Sequence, residues 1–292
     1  MLFRSHIGER GDDGAWRTVA DRAEITRLGE DREETGALQP EPMERTVEAI
    51  VGMVDEATKE DVREIAAVGT AALRAATNRA DFVDAVHDRC GVTVEVISGE
   101  EEARLGYVAA TAELNLPDGS LVVYDSGGGS SQFTFGRGRR VEEQYSVPLG
   151  AVAPTEEFGL DGVVSEETLA GALEAISAGL ASLDGRAKPD ALIGMGGTAT
   201  NLAAVKHRLA PYDPDVVQGT VLDRDEIDGQ IELYRTRTAD ERREIVGLQP
   251  KRAEVILAGA CIARTVLDKL GSDSLTVSDR GLRHGLLVER FG

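Results

Sequence analysis

Cysteine is almost absent. Cys90 and Cys261 are the two in the chain, too few for a disulfide framework and in no metal-ligand spacing. Long apolar runs are missing as well: nothing approaches the roughly 20 uninterrupted apolar residues of a membrane helix. The opening residues, MLFRSHIGERGDDG, lack the apolar core of a secretory leader and turn polar at once. The expectation is a soluble, cytoplasmic protein with no membrane partner. Aromatics make up 4% of the chain against 41% apolar residues in all, so its cores are mostly aliphatic.

Lysine is nearly as scarce. Lys59, Lys188, Lys206, Lys251 and Lys269 are the five, and the other 27 of the 32 basic residues are arginines. Acids number 52, giving a net charge of −20 that is scattered over helices and loops and not gathered in a tail. No basic surface is left for nucleic acid, which excludes nonspecific nucleic-acid binding. Dispersed acid with few lysines fits a halophilic host, whose ionic strength screens the self-repulsion. An ordinary acidic cytosolic protein is the plainer alternative.

What is present is an α/β alternation, and 292 residues suit two packed domains. DDGAWRTVADRAEITRLGE reads as a β-turn followed by two strands. After Pro42, the residues Met43, Val47, Ile50, Val51 and Val54 fall on one helical face. EIAAVGT is a strand, AALRAATN a loop or short helix, and Phe82, Val83 and Val86 mark another helix. GVTVEVI is a strand that hands over to a helix from Glu100 to Ala112. The breaker NLPDG separates this half from SLVVYD, which opens the second.

In that second half, QFTFGRGRRVEEQYSVPLG is a hairpin turning at Gly136 to Gly138. Ser165 is a plausible N-cap for a helix running to Leu183. DALIGMGGTATNLAAV is a strand, a glycine pair and a helix; PKRAEVILAGACIARTVLDKL is a long helix; SLTVSDRGLRHGLLVERF closes with a strand and a helix. The expected domains are 1–118, joined by 281–292, and 119–280.

Two glycine turns carry the chemistry. In LVVYDSGGGSSQ a buried strand runs into Asp125, then Gly127, Gly128, Gly129 and Ser130, then more β structure. Bare backbone of this kind can approach a ligand closely and form a nest of N–H groups for phosphate oxygens. Asp125 beside phosphate makes sense if it holds a cation. A helix does not come next, so this is not the dinucleotide fingerprint; a plain tight hairpin stays open. Gly196, Gly197 and Thr198 do precede a helix, whose N-terminus suits an anion, although many strand-to-helix turns use glycine.

Glu100, Glu101 and Glu102 open a helix, where acids often serve only the helix dipole; a phosphate site would also want a carboxylate base for water. Arg74 and Arg252 are surface arginines by default, or planar forks for phosphoryl charge. His6, His87, His207 and His284 are scattered and read as structural, and no serine or cysteine nucleophile pattern stands out.

In order along the chain, VGTAALRAATN, VEVISGEEEARLGY, VVYDSGGGSSQF, SVPLGAV, GMGGTATNLAA, GLQPKRAEVILAGA and VSDRGLRHGLL resemble the exopolyphosphatase and guanosine-pentaphosphate phosphatase family. The resemblance implies two ribonuclease-H-like domains of the actin, sugar kinase and heat-shock ATPase superfamily, with the active site in the cleft. It implies that Glu102 is the general base and that Asp125 holds Mg²⁺ (or Mn²⁺) or positions water. Gly127 and Ser130 then lie in the phosphate-gripping turn, with Arg74 and Arg252 on substrate phosphates. The substrate would be polyphosphate or guanosine pentaphosphate, attacked in line by water, and a homodimer is reasonable.

The chain departs from the family pattern in three places. Gln132 stands where the turn DxGGGSxE ends in glutamate, which weakens the expected metal shell. Ala153 stands where arginine is frequent. The first phosphate motif, DxGSNSxR, is absent, and the expectation is a truncated or misassigned first strand. The alternatives are a sensor that binds polyphosphate or nucleotide without turnover, and a kinase of the same superfamily, for which no adenine-pocket pattern is evident.

Overall fold

The computed structural model describes residues 2–12, 16–30, 35–112, 114 and 116–292. The chain divides into two compact units, residues 1–105 with 282–292, and residues 106–281.

In the first unit, β1 (Leu2–Arg10) pairs antiparallel with β2 (Trp16–Ile25). The sequence reading missed β1 and split β2 in two. Gly8 explains part of this: a weak strand former, it leaves room for Leu287, whose Cδ2 would lie 2.6 Å from a Cβ placed there. The β-turn expected at DDGA lies partly outside the described residues. Helix α1 (Pro40–Lys59) begins two residues before Pro42, with proline in its first turn, where a missing N–H costs nothing. It buries Val47, Ile50 and Met53; Val47 and Ile50 join a cluster with Leu73, Phe82 and Val94. Strand β3 (Ala67–Gly69), helices α2 (Ala71–Arg74) and α3 (Arg79–Cys90), and β4 (Val94–Val96) come next, with β3 and β4 parallel.

Helix α4 (Gly99–Thr111) carries the unit boundary within it, thirteen residues before the expected 118/119. Its second half belongs to the second unit because Tyr107 and Ala110 cluster with Leu121, Val123 and Ile193. The breaker drew the expected line too late because it marks where the helix has ended, not where its packing partners change.

The second unit is built on a six-stranded sheet in the order β7-β6-β5-β8-β10-β9. Strand β5 (Ser120–Ser126) pairs antiparallel with β6 (Ser131–Arg137), which pairs antiparallel with β7 (Arg140–Val147). Strand β8 (Ala191–Met195) lies parallel to β5 and to β10 (Ser274–Ser278), and β9 (Val221–Asp223) closes the edge antiparallel. The period of two explains the apolar run of β5. Leu121 and Val123 join the cluster holding Tyr107, while Val122 and Tyr124 join the large cluster of the unit's helices.

Those helices are α5 (Val152–Phe158), α6 (Glu166–Gly179), α7 (Gly196–His207), α8 (Pro214–Val217), α9 (Arg224–Arg235), α10 (Ala239–Arg242) and α11 (Ile256–Lys269). Ser165 Oγ accepts the Thr168 N–H, as an N-cap should, but α6 stops at Gly179 and a separate 3₁₀ turn covers 181–183. The expected long helix from Pro250 is also divided. Residues 250–252 form a 3₁₀ turn, and α11 starts at Ile256, where the buried apolar run begins. The last helix, α12 (Leu282–Phe291), belongs to the first unit.

Arg242 is the polar anchor of the helical layer. It is fully buried, with Nε donating to Tyr234 O (2.8 Å), Nη1 to Leu160 O (2.7 Å) and Ala253 O (3.2 Å), and Nη2 to Gly162 O (2.9 Å). Burial pulls its pKa down to about 10, so it stays charged at neutral pH. Arg242→Leu leaves four dry carbonyls and is expected to cost about 3 kcal/mol in urea unfolding; a loss below about 1 kcal/mol would show that water replaces the guanidinium at little cost.

Candidate functional site

The first unit holds Arg74 and Glu102. Arg74 ends α2, and its Nη1 donates to Ile97 O (3.0 Å) and to Glu102 Oε2 (2.8 Å). Both side chains are about one-third exposed, so the pair is open to solvent. The three glutamates at the start of α4 have different surroundings. Glu101 takes two hydrogen bonds from Arg104, which hold its carboxyl below the usual range. Arg104 also binds Glu289 on α12. Glu102 alone of the three is tied to the arginine singled out from the sequence.

The second unit brings together the remaining residues. Asp125, one residue before the end of β5, lies directly opposite Gln132 in the β5–β6 ladder. Its carboxylate lies against the backbone of Gly196, so closely that a Cβ there would collide with Oδ1. Gly196 also has φ +79°, a conformation that favours glycine. Next to it, the Arg252 guanidinium lies on Gly197, where a Cβ would collide with Nη2 and Cζ. A carboxylate, a helix N-terminus and a guanidinium thus meet over two glycines.

The 127–130 turn is closed by Gly127 N–H donating to Ser130 O (2.9 Å). It is strapped from behind: Ala151 N–H donates to Gly127 O (3.0 Å) and Val152 N–H to Gly128 O (2.9 Å). Ser131 Oγ donates to Leu149 O (2.7 Å). Gln132 Nε2 donates to Ser130 Oγ (2.7 Å), so the amide ties the turn to its own strand. Thr198 is buried, with its hydroxyl 3.3 Å from Ser126 O, which makes its side chain a brace.

Three bracing residues escaped the sequence reading. Asn201, buried, donates from Nδ2 to Gly197 O (2.8 Å) and accepts the Gln249 N–H at Oδ1 (2.7 Å), joining the α7 first turn to the segment carrying Arg252. An asparagine one turn inside a helix was the available signal, since it is a poor helix former. Ser131 looked like part of the turn's polar run. Gly150 had no reading of its own, yet a Cβ there would collide with the Gly128 carbonyl.

The donor set suits a hard dication in a limited way. Asp125 supplies one anionic oxygen, and Gln132 across the ladder supplies at most a neutral one. Mg²⁺ commonly binds through one or two carboxylates, keeping water and substrate phosphate as its other ligands, so the residues fit it.

Comparison with known proteins places the chain in a family. The Ppx/GppA phosphatase family profile matches residues 9–292. Exopolyphosphatase 2 of Mycobacterium tuberculosis is 28% identical over all of this chain and 95% of its own length. Guanosine-5'-triphosphate,3'-diphosphate pyrophosphatase of Vibrio vulnificus is 30% identical over 99% of this chain and 56% of its own length. The chain spans as little as 41% of one curated relative. The crystal structure of the type II variant of the Aquifex aeolicus Ppx/GppA phosphatase superimposes with a TM-score of 0.92 at 34% identity, covering 100% of this chain and 96% of that one. The fold is therefore the actin-like, two-domain α/β fold of those phosphatases.

The strap behind the turn gives a direct test. Gly150→Ala is expected to lower unfolding free energy by about 1–3 kcal/mol through overpacking against Gly128. Gly106→Ala in α4, where a Cβ meets nothing within 4 Å, is expected to be neutral or stabilising by up to about 1 kcal/mol. Equal effects in urea titration would remove the special status of Gly150.

Proposed function

Because the chain belongs to the Ppx/GppA phosphatase family, we propose that it is a metal-dependent phosphohydrolase releasing terminal phosphate from inorganic polyphosphate or guanosine pentaphosphate. The observation that carries this reading is the meeting of Asp125, the α7 N-terminus and the Arg252 guanidinium over Gly196 and Gly197. Phosphate is an anion with several oxygens, and this cluster offers it aligned N–H groups, a helix dipole and a planar cationic fork.

Water attacks the terminal phosphorus in line, the bond to the bridging oxygen breaks, and the shortened chain leaves. The proton of the attacking water passes to Glu102. Arg74 fixes Glu102 Oε2 at 2.8 Å, which orients the carboxylate and limits its rotamers. Gly127 to Ser130 and Arg252 hold the phosphoryl group while its charge redistributes, and positioning of this kind supplies most of the catalysis in phosphoryl transfer. Mg²⁺ or Mn²⁺, held by Asp125 with the weakened assistance of Gln132, would add charge neutralisation at the phosphate oxygens.

The surface sets a condition on this activity. A net charge of −20 repels a polyanion until salt screens it. Phosphate release from long-chain polyphosphate is expected to be faster in about molar KCl than in dilute buffer, and Glu102→Gln should lower it by about 10²-fold or more. Release that survives Glu102→Gln would remove that residue as the base. A folded protein that binds polyphosphate and releases nothing, with either metal, would overturn the enzymatic reading in favour of a sensor.

A further inference from the structure

The histidines that looked scattered in sequence include one pair that the fold brings together. His6 on β1 and His284 on α12 have ring centroids 4.5 Å apart. Asp21 on β2 completes the group: with one ligand atom from each residue, all three atoms lie within 4.8 Å of one another. Among the described residues no other group of three histidine, cysteine, aspartate or glutamate side chains comes together in this way. All three residues belong to the first unit, and none is among the residues assigned to phosphate.

One nitrogen of this group is buried and makes no hydrogen bond. The His6 side chain is 4% exposed, and its Nδ1 makes no hydrogen bond, standing 3.8 Å from Asp21 Oδ2. An imidazole nitrogen left dry in this way costs free energy unless something satisfies it. Two imidazoles and a carboxylate form the donor set that borderline dications prefer over Mg²⁺ or Ca²⁺.

We propose that His6, Asp21 and His284 bind a transition-metal dication of the Zn²⁺ class, clipping the N-terminal hairpin to the last helix. Three protein ligands leave the fourth tetrahedral position to water. Neighbouring ligand atoms around Zn²⁺ sit about 3.3 Å apart, so the group, whose ligand atoms lie within 4.8 Å of one another, must draw in by up to about 1.5 Å, within the reach of side-chain rotation. Arg283 Nη2 already holds Asp21 Oδ2 at 2.5 Å, and a bound metal would share the carboxylate with it, as carboxylate ligands commonly share outer hydrogen bonds.

The test takes the full chain after chelator treatment and adds Zn²⁺, with equal Mg²⁺ as control for diffuse binding to the acidic surface. Zn²⁺ near 100-fold its Kd is expected to raise the thermal midpoint by about 5 °C or more, and Mg²⁺ to do much less. Co²⁺ in its place should give the strong visible bands of a four-coordinate site. His284→Gln should abolish both signals. Asp21→Asn, on a partly exposed side chain, serves as the second variant should His284→Gln not fold. Equal shifts with Mg²⁺, absence of the Co²⁺ bands, or signals retained in a folded variant would each overturn the proposal.

Discussion

The close approach at Gly196 and Gly197 is the constraint on which the candidate site of the second unit depends. A methyl group at either position would displace a charged side chain, Asp125 at the first and Arg252 at the second. The two residues carry opposite charge and come from places far apart in sequence, the end of β5 and the 3₁₀ turn before α11. Only a side-chain-free backbone lets both reach the first turn of α7. Asn201 then fixes the spacing, since its amide holds Gly197 on one side and Gln249 on the other. The site is a product of backbone shape first and of side-chain chemistry second.

That order explains what could be read in the sequence. Asp125, Gly127 to Ser130 and Gly196 to Thr198 drew attention because bare glycine backbone beside a buried strand permits close approach, although a plain hairpin or an ordinary strand-to-helix turn would read the same way. The β5 run LVVYD was legible because a strand packed on both faces is apolar throughout. Arg252 was singled out as either a surface arginine or a phosphate fork, and its setting was misread: PKRAEV has the composition of a helix start, but the proline turn and α11 are separate elements. Asn201 and Gly150 were not legible, because their work is done on backbone groups of residues that sequence spacing does not connect. Arg242 is the extreme case. A charged side chain in the motif ADERR looks solvated, and its burial comes from four carbonyls contributed by three different segments.

The acidic surface opposes the proposed phosphate chemistry, and this has a structural consequence. With acids in such excess, positive charge near the candidate site must come from groups that do not rely on a basic surface. Arginine supplies it through a rigid fork with defined geometry, which lysine lacks. Each of the two arginines is held in place: Arg74 by Ile97 O and Glu102, and Arg252 over Gly197. Gln132 fits the same pattern. Its amide ties Ser130 into the turn without adding another negative charge beside Asp125, so it keeps the turn's geometry while offering a cation less than a carboxylate would.

The first unit makes the complementary point about topology. It is assembled from both ends of the chain, so its contacts between β1, β2 and α12 span nearly the whole sequence. His6, Asp21 and His284 meet for that reason alone. No local pattern marks them: His6 sits in a strand of mixed polarity that pattern reading passed over, and His284 in an amphipathic helix. The ring contact, the dry Nδ1 and the Arg283 bridge all arise where the ends are joined. A discontinuous unit pays a large loop-closure entropy for such contacts. Polar groups gathered at that seam therefore have a stability role open to them whether or not they touch the reaction, and a dication there would strengthen the seam by linking three segments with one centre.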